Sequence, residues 1–66
     1  MILIINGQKK NLQKPLSIEH LLEVEGYGDM LVAIARNGVF IARTSYEDII
    51  VADGDEIEIV SPMQGG

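Results

Sequence analysis

The chain contains no cysteine and no tryptophan, one histidine and two prolines in 66 residues. Without cysteine there is no disulfide staple, no thiolate metal site and no cysteine nucleophile. The sole histidine, His20, lies beside the apolar stripe of a helix and has no cysteine to activate. It is therefore read as a surface or partly packed side chain rather than a general base. The apolar run Ile2-Leu3-Ile4-Ile5 is far too short for a signal-peptide core or a membrane span, and no basic residue precedes it. A cytoplasmic protein with no membrane partner is expected. Positive charge is missing from the second half: from Thr44 onward there is no Lys or Arg.

Acids fill that half instead, in Glu47, Asp48, Asp53, Asp55, Glu56 and Glu58, and the formal net charge is −5. Nucleic-acid phosphates would be repelled. A basic partner surface would be attracted, chiefly through faster encounter, although an acidic surface also serves plain solubility. Sixty-six residues make one domain close to the lower limit for a core without disulfides or metal. Stability must come from the 47% of hydrophobic residues, which are mostly aliphatic.

Local signals divide the chain into short elements. Met1 to Asn6 is an apolar β run, and Asn6-Gly7 is a hairpin signal, because a type I′ turn needs positive φ at both central residues. Lys9 to Lys14 reads as a polar return strand with Leu12 inward, ended by Pro15. Ser17 is placed to cap a helix over about Ile18 to Glu25, whose apolar stripe is Ile18, Leu21 and Leu22, with Gly26 as its stop. Leu31 to Arg36 reads as a buried strand with Val32 and Ile34 on one face. Asn37-Gly38 turns the chain into Val39 to Ala42. Ser45 to Asp48 has the form of a capping box for a brief helical turn. After the Asp53-Gly54 turn, Asp55 to Val60 alternates, with Ile57 and Ile59 inward and Glu56 and Glu58 outward.

The order ββαββ, a short turn, then β predicts an α+β fold of the β-grasp (ubiquitin-like) kind. One helix lies across a mixed sheet of about five strands in a single domain spanning 1–66, of which residues 61–66 form a flexible C-terminal tail. By analogy with that fold the first and last strands lie side by side in the middle of the sheet. Arg36 and Arg43 flank the second hairpin and are read as exposed, with partner steering as the alternative. Phe40 is expected to be half-buried, and the carboxylates from Asp53 to Glu56 to form a solvated turn rather than a calcium loop. Met63 is either a partner contact or rim filler.

The sequence closes on Gln64-Gly65-Gly66. Two glycines give a thin backbone with φ/ψ freedom that other residues lack, and Gly66 would carry the α-carboxylate at its tip. With Val32-Ala33-Ile34-Ala35-Arg36-Asn37-Gly38, Ile41-Ala42-Arg43 and Asp53-Gly54-Asp55-Glu56-Ile57-Glu58-Ile59-Val60, this ending resembles the ThiS family of thiamine-biosynthesis sulfur carriers, over essentially the whole chain. The chain departs from the usual family pattern in having Ala42 where proline often precedes the arginine, and in a more polar approach to the glycines.

The resemblance implies a carrier, not an enzyme, that binds no cofactor of its own. A ThiF-like adenylyltransferase would use ATP to adenylate the Gly66 carboxylate, and a persulfide sulfur donor would convert it to a thiocarboxylate. Thiazole synthase would then take the sulfur. Gly65 would serve recognition of the tail, and Glu56, Glu58 and Met63 would offer partner surface. Two alternatives share the fold: the small subunit of molybdopterin synthase, and a ubiquitin-like modifier or interaction module.

Overall fold

Both Asn-Gly pairs form two-residue hairpin turns, with φ of 50° and 81° at Asn6 and Gly7 and of 52° and 85° at Asn37 and Gly38. Positive φ at both positions matches the right-handed twist of the flanking strands, so each turn leads directly into antiparallel pairing. The first joins β1 (Ile2–Ile5) to β2 (Gln8–Asn11), and the second joins β3 (Ala33–Arg36) to β4 (Val39–Phe40). These elements come from a computed structural model, which describes residues 1–28 and 30–61.

Between the hairpins lies the helix α1 (Ile18–Val24). The Ser17 hydroxyl accepts from the His20 N–H at 3.1 Å, which satisfies one free amide of the first turn. At the other end Gly26, at φ 91°, lets the chain reverse. The Tyr27 N–H then donates to the Leu22 carbonyl and the Gly26 N–H to the Glu23 carbonyl, the paired bonds of a Schellman cap. The stripe Ile18, Leu21 and Leu22 is buried.

The last strand, β5 (Glu56–Val60), completes a sheet of order β2-β1-β5-β3-β4. β5 runs parallel to β1, with Ile5 opposite Ile57, and antiparallel to β3, with Ile34 opposite Ile59. First and last strands therefore lie side by side, as the β-grasp analogy requires. The helix covers one face, and Leu3, Ile5, Ile34, Ile57 and Ile59 of the sheet meet Ile18, Leu21 and Leu22 in a single core. Each such side chain contributes about 1.5–3 kcal/mol through burial.

Several sequence expectations shift against the structure. β2 ends at Asn11, well before Pro15, because the chain past Leu12 turns toward the helix cap. Leu12 does pack on the core. β3 begins at Ala33, leaving Leu31 48% exposed, and β4 has only two residues. The helical turn is a 3-10 segment over Arg43–Ser45 with Ala42 as its N-cap. Ser45 thus ends the turn where a capping box would have it begin, and its carbonyl accepts from Asp48 and Ile49.

Three side chains also fall on the other side of the surface. Phe40 is 73% exposed, because a two-residue edge strand on the face away from the helix gives it no layer to pack under. Asp55 is buried, not solvated. Tyr46, absent from the expected core, is buried and donates its hydroxyl to the Val32 carbonyl at 3.3 Å.

Candidate functional site

The pleat of β5 sends Ile57 and Ile59 into the core and leaves Glu56 and Glu58 exposed on the face opposite the helix. Pairing fixes what surrounds them. Glu56 stands beside Ile4 of β1, and Glu58 stands beside Ala35 of β3, which in turn pairs with Phe40 of β4. Ile2, Val60 and Phe40 are exposed on the same face. Two carboxylates thus stand among exposed apolar side chains, with Lys9 and Asn11 of β2 opposite Ile4 and Ile2 on the same face. A shallow groove of about 670 Å³ runs over this face, lined by both acids and bounded by the Asn6-Gly7 and Asn37-Gly38 turns.

The turn asparagines also hold this strand. The Asn6 Oδ1 accepts from the Ile59 N–H at 2.8 Å, and the Asn37 Oδ1 accepts from the Glu56 N–H at 2.9 Å. Each side chain stands in for a ladder carbonyl, which fixes the strand bearing the two glutamates.

Asp55, which precedes β5, is bonded to Asn37 of this groove's rim. It accepts from the Ala52 N–H at 2.8 Å, the Asn37 amide at 3.1 Å and the Arg36 Nε at 2.9 Å. Burial acts to raise its pKa, but those three donors outweigh burial and hold the carboxyl below its ordinary value. Arg36 is therefore half-buried in an ion pair rather than simply exposed, whereas Arg43 is exposed as read. Asp53 accepts from the Ile2 N–H. Among the described residues no cluster of three or more His, Asp or Glu side chains is arranged to hold a metal ion. His20 is exposed on α1.

Of the sequence-predicted site, Glu56 and Glu58 are brought together on one face of one strand. Met63, Gly65 and Gly66 lie outside the described residues. Sequence reading missed the paired asparagines as strand anchors and Asp55 as the partner of Asn37 and Arg36. The signal was present in the repeated Asn-Gly, but it was absorbed by the turn alone. No helix among the described residues is long and apolar enough to cross a membrane.

Comparison with known proteins places this geometry. A segment of the thiazole synthase of Paramagnetospirillum magneticum is 38% identical over 66 residues, all of this chain and 20% of that protein. A thiazole synthase of Magnetococcus marinus is 31% identical over 62 residues, 94% of this chain and 19% of that one. The chain thus spans about a fifth of the length of the thiazole synthases it matches. The ycf40 protein of Pyropia yezoensis is 29% identical over 62 residues, covering 94% of this chain and 87% of its own. The crystal structure of the thiamine biosynthesis protein ThiS from Geobacter metallireducens superposes with a TM-score of 0.84 at 28% identity, over 100% of both chains. The ThiS family model matches residues 3–66, and with the β-grasp architecture in place this chain belongs to the ThiS family.

Proposed function

We propose that the chain is the sulfur carrier for thiazole formation in thiamine biosynthesis, acting in the cytoplasm through the carboxylate of Gly66. The observation that carries this reading is the family match, which runs to Gly66 and so includes the terminal glycine pair. Likeness to a thiamine biosynthesis protein supports a carrier role. The matched thiazole synthases favour thiazole formation over molybdenum-cofactor assembly.

The chemistry follows from what a carboxylate lacks. Its carbonyl is electron-rich and its leaving group would be oxide, so sulfur cannot displace oxygen directly. Attack of the Gly66 carboxylate on the α-phosphate of ATP forms an acyl-adenylate and releases pyrophosphate. A sulfur nucleophile, in the simplest case hydrosulfide, then adds to the carbonyl. The C–O bond to AMP breaks, a C–S bond forms, and a thiocarboxylate remains. The catalytic groups belong to a ThiF-like adenylyltransferase and to thiazole synthase, while the chain supplies the reacting carboxyl, a slender tail and a surface for recognition. Glu56 and Glu58 on the outer sheet face give the adenylating partner carboxylates to meet with basic groups.

The test is intact-protein mass after incubation with the adenylating enzyme, ATP and sulfide. A mass gain that corresponds to replacement of one oxygen by sulfur is expected. An unchanged mass, with the partner active on its own carrier, defeats the reading.

A further inference from the structure

Asn6 and Asn37 each precede a glycine, and each is exposed at a two-residue turn. An Asn-Gly pair can react with itself. The glycine nitrogen attacks the asparagine Cγ, its proton passing to hydroxide or another solvent base. The new C–N bond closes a succinimide, and the Cγ–Nδ2 bond breaks with release of ammonia. Water then opens the ring at one carbonyl or the other, leaving aspartate or isoaspartate. Glycine favours the attack because no Cβ shields its nitrogen, and at both Gly7 and Gly38 the space where a Cβ would stand is open.

What opposes the reaction is the hydrogen bonding of the asparagine, since its amide must leave its partners before Cγ can turn back on its own backbone. The two sites are nearly matched in this. Each backbone N–H donates to a β5 carbonyl, Asn6 to Ile57 at 2.9 Å and Asn37 to Glu56 at 2.8 Å. Each Oδ1 accepts from a β5 N–H, Asn6 from Ile59 and Asn37 from Glu56. They differ at Nδ2. Asn37 donates from it to the Oδ1 of Asp55 at 3.1 Å, whereas the Asn6 Nδ2 has no partner among the described residues. Asp55 is buried and carries its charge at neutral pH. That charge also opposes the amide anion that Gly38 must become in order to attack. The shortness of the second hairpin does not offset this, because Asn37 is tied to β5 and Asp55 and not to β4.

We propose that Asn6 is a deamidation site of the folded protein, and that the bond from Asn37 to Asp55 keeps the second Asn-Gly pair intact. Conversion of Asn6 to aspartate leaves an oxygen to accept from Ile59 and places a third carboxylate on the groove that Glu56 and Glu58 line. Conversion to isoaspartate routes the chain through Cβ, which lengthens a two-residue turn by one methylene. At Asn37 even the aspartate product would set its carboxylate against that of Asp55.

The experiment incubates the full chain at mildly alkaline pH, folded and in urea. Each site is followed by peptide mass mapping, with an isoaspartyl methyltransferase to mark isoaspartate. In the folded chain Asn6 should convert about tenfold faster than Asn37, the factor that one further bond to a charged group supplies. In urea the two should convert at similar rates. The proposal is overturned if folded Asn37 converts as fast as Asn6, if the same ratio persists in urea, or if folded Asn6 stays intact over many half-lives of the unfolded chain. Product variants test the reason for the difference. Asn37→Asp should melt about 4–8 °C below Asn6→Asp, because it alone brings two carboxylates into contact. Equal melting temperatures for the two overturn the protection assigned to Asp55.

Discussion

The Nε of Arg36 donates to the Oδ2 of Asp55 at 2.9 Å, joining the end of β3 to the turn that opens β5. Three donors converge on the Asp55 carboxylate, and its folded-state pKa lies below the ordinary 3.8. In the window between the folded and unfolded values the unfolded chain binds the extra proton. The carboxylate's contribution is thus complete above about pH 5 and is lost as pH falls through the folded value. Asp55→Ala should cost about 2–3 kcal/mol at neutral pH, since it leaves the Ala52 N–H, the Asn37 amide and Arg36 unmatched. Urea melts from pH 3 to pH 7 should show a fall in acid for the wild type and a flatter profile for Asp55→Asn.

Asn37 has two duties that substitution can separate. Asn37→Gly keeps the positive φ but loses the bonds to Asp55 and to the Glu56 N–H. Asn37→Ala loses those bonds and also strains the turn by about 1–2 kcal/mol. Chemical denaturation should rank wild type above glycine and glycine above alanine. Equal stabilities for the two variants would remove the conformational half of this account.

The core assignment predicts that Leu22→Ala and Ile57→Ala each cost about 2–5 kcal/mol. A domain of this size can lose most of its stability to either change. Tyr46→Phe should be milder, about 0.5–1.5 kcal/mol, because it removes one hydroxyl bond to Val32 and little volume. Thermal melts check all three, and a neutral Ile57→Ala would contradict the placement of β5 at the centre.

Charge on the outer face of β5 should act on the rate of encounter with the adenylating enzyme. Exposed charges are screened over about 8 Å at physiological salt. Stopped-flow association should therefore slow as salt rises, and Glu56→Lys or Glu58→Lys should slow it further at low salt. An on-rate indifferent to salt removes the steering role of these two residues.

Deletion of Gly66 should abolish thiocarboxylate formation by moving the reacting carboxyl one residue back. The melting temperature should hold, since among the described residues the core is built from none later than Ile59. Gly65→Val should have nearly the same effect, because a β-branched side chain closes glycine-only conformations and widens the tail. Intact mass after reaction with adenylating enzyme, ATP and sulfide reports both. A truncated chain that gains sulfur as fast as the full one contradicts the assignment of Gly66.

What the sequence determined by itself was local. Asn-Gly needs only its own φ preferences to make a hairpin, Ser17 needs only the next three amides to cap a helix, and the Glu-Ile alternation of β5 needs only the period of a strand. Each was legible because its cause lies within a few residues. Tertiary structure decided whatever depends on neighbours far along the chain. A carboxylate beside glycine reads as solvated until Arg36, Asn37 and Ala52 close over it, and a phenylalanine in a strand reads as half-buried until that strand proves to be a two-residue edge. Tyr46 gave no periodic signal because it enters the core from an irregular turn. The groove between α1 and the segment entering β3 was hidden as well, since Glu19, Leu31 and Arg43 lie on separate segments that share it only once the helix has crossed the sheet.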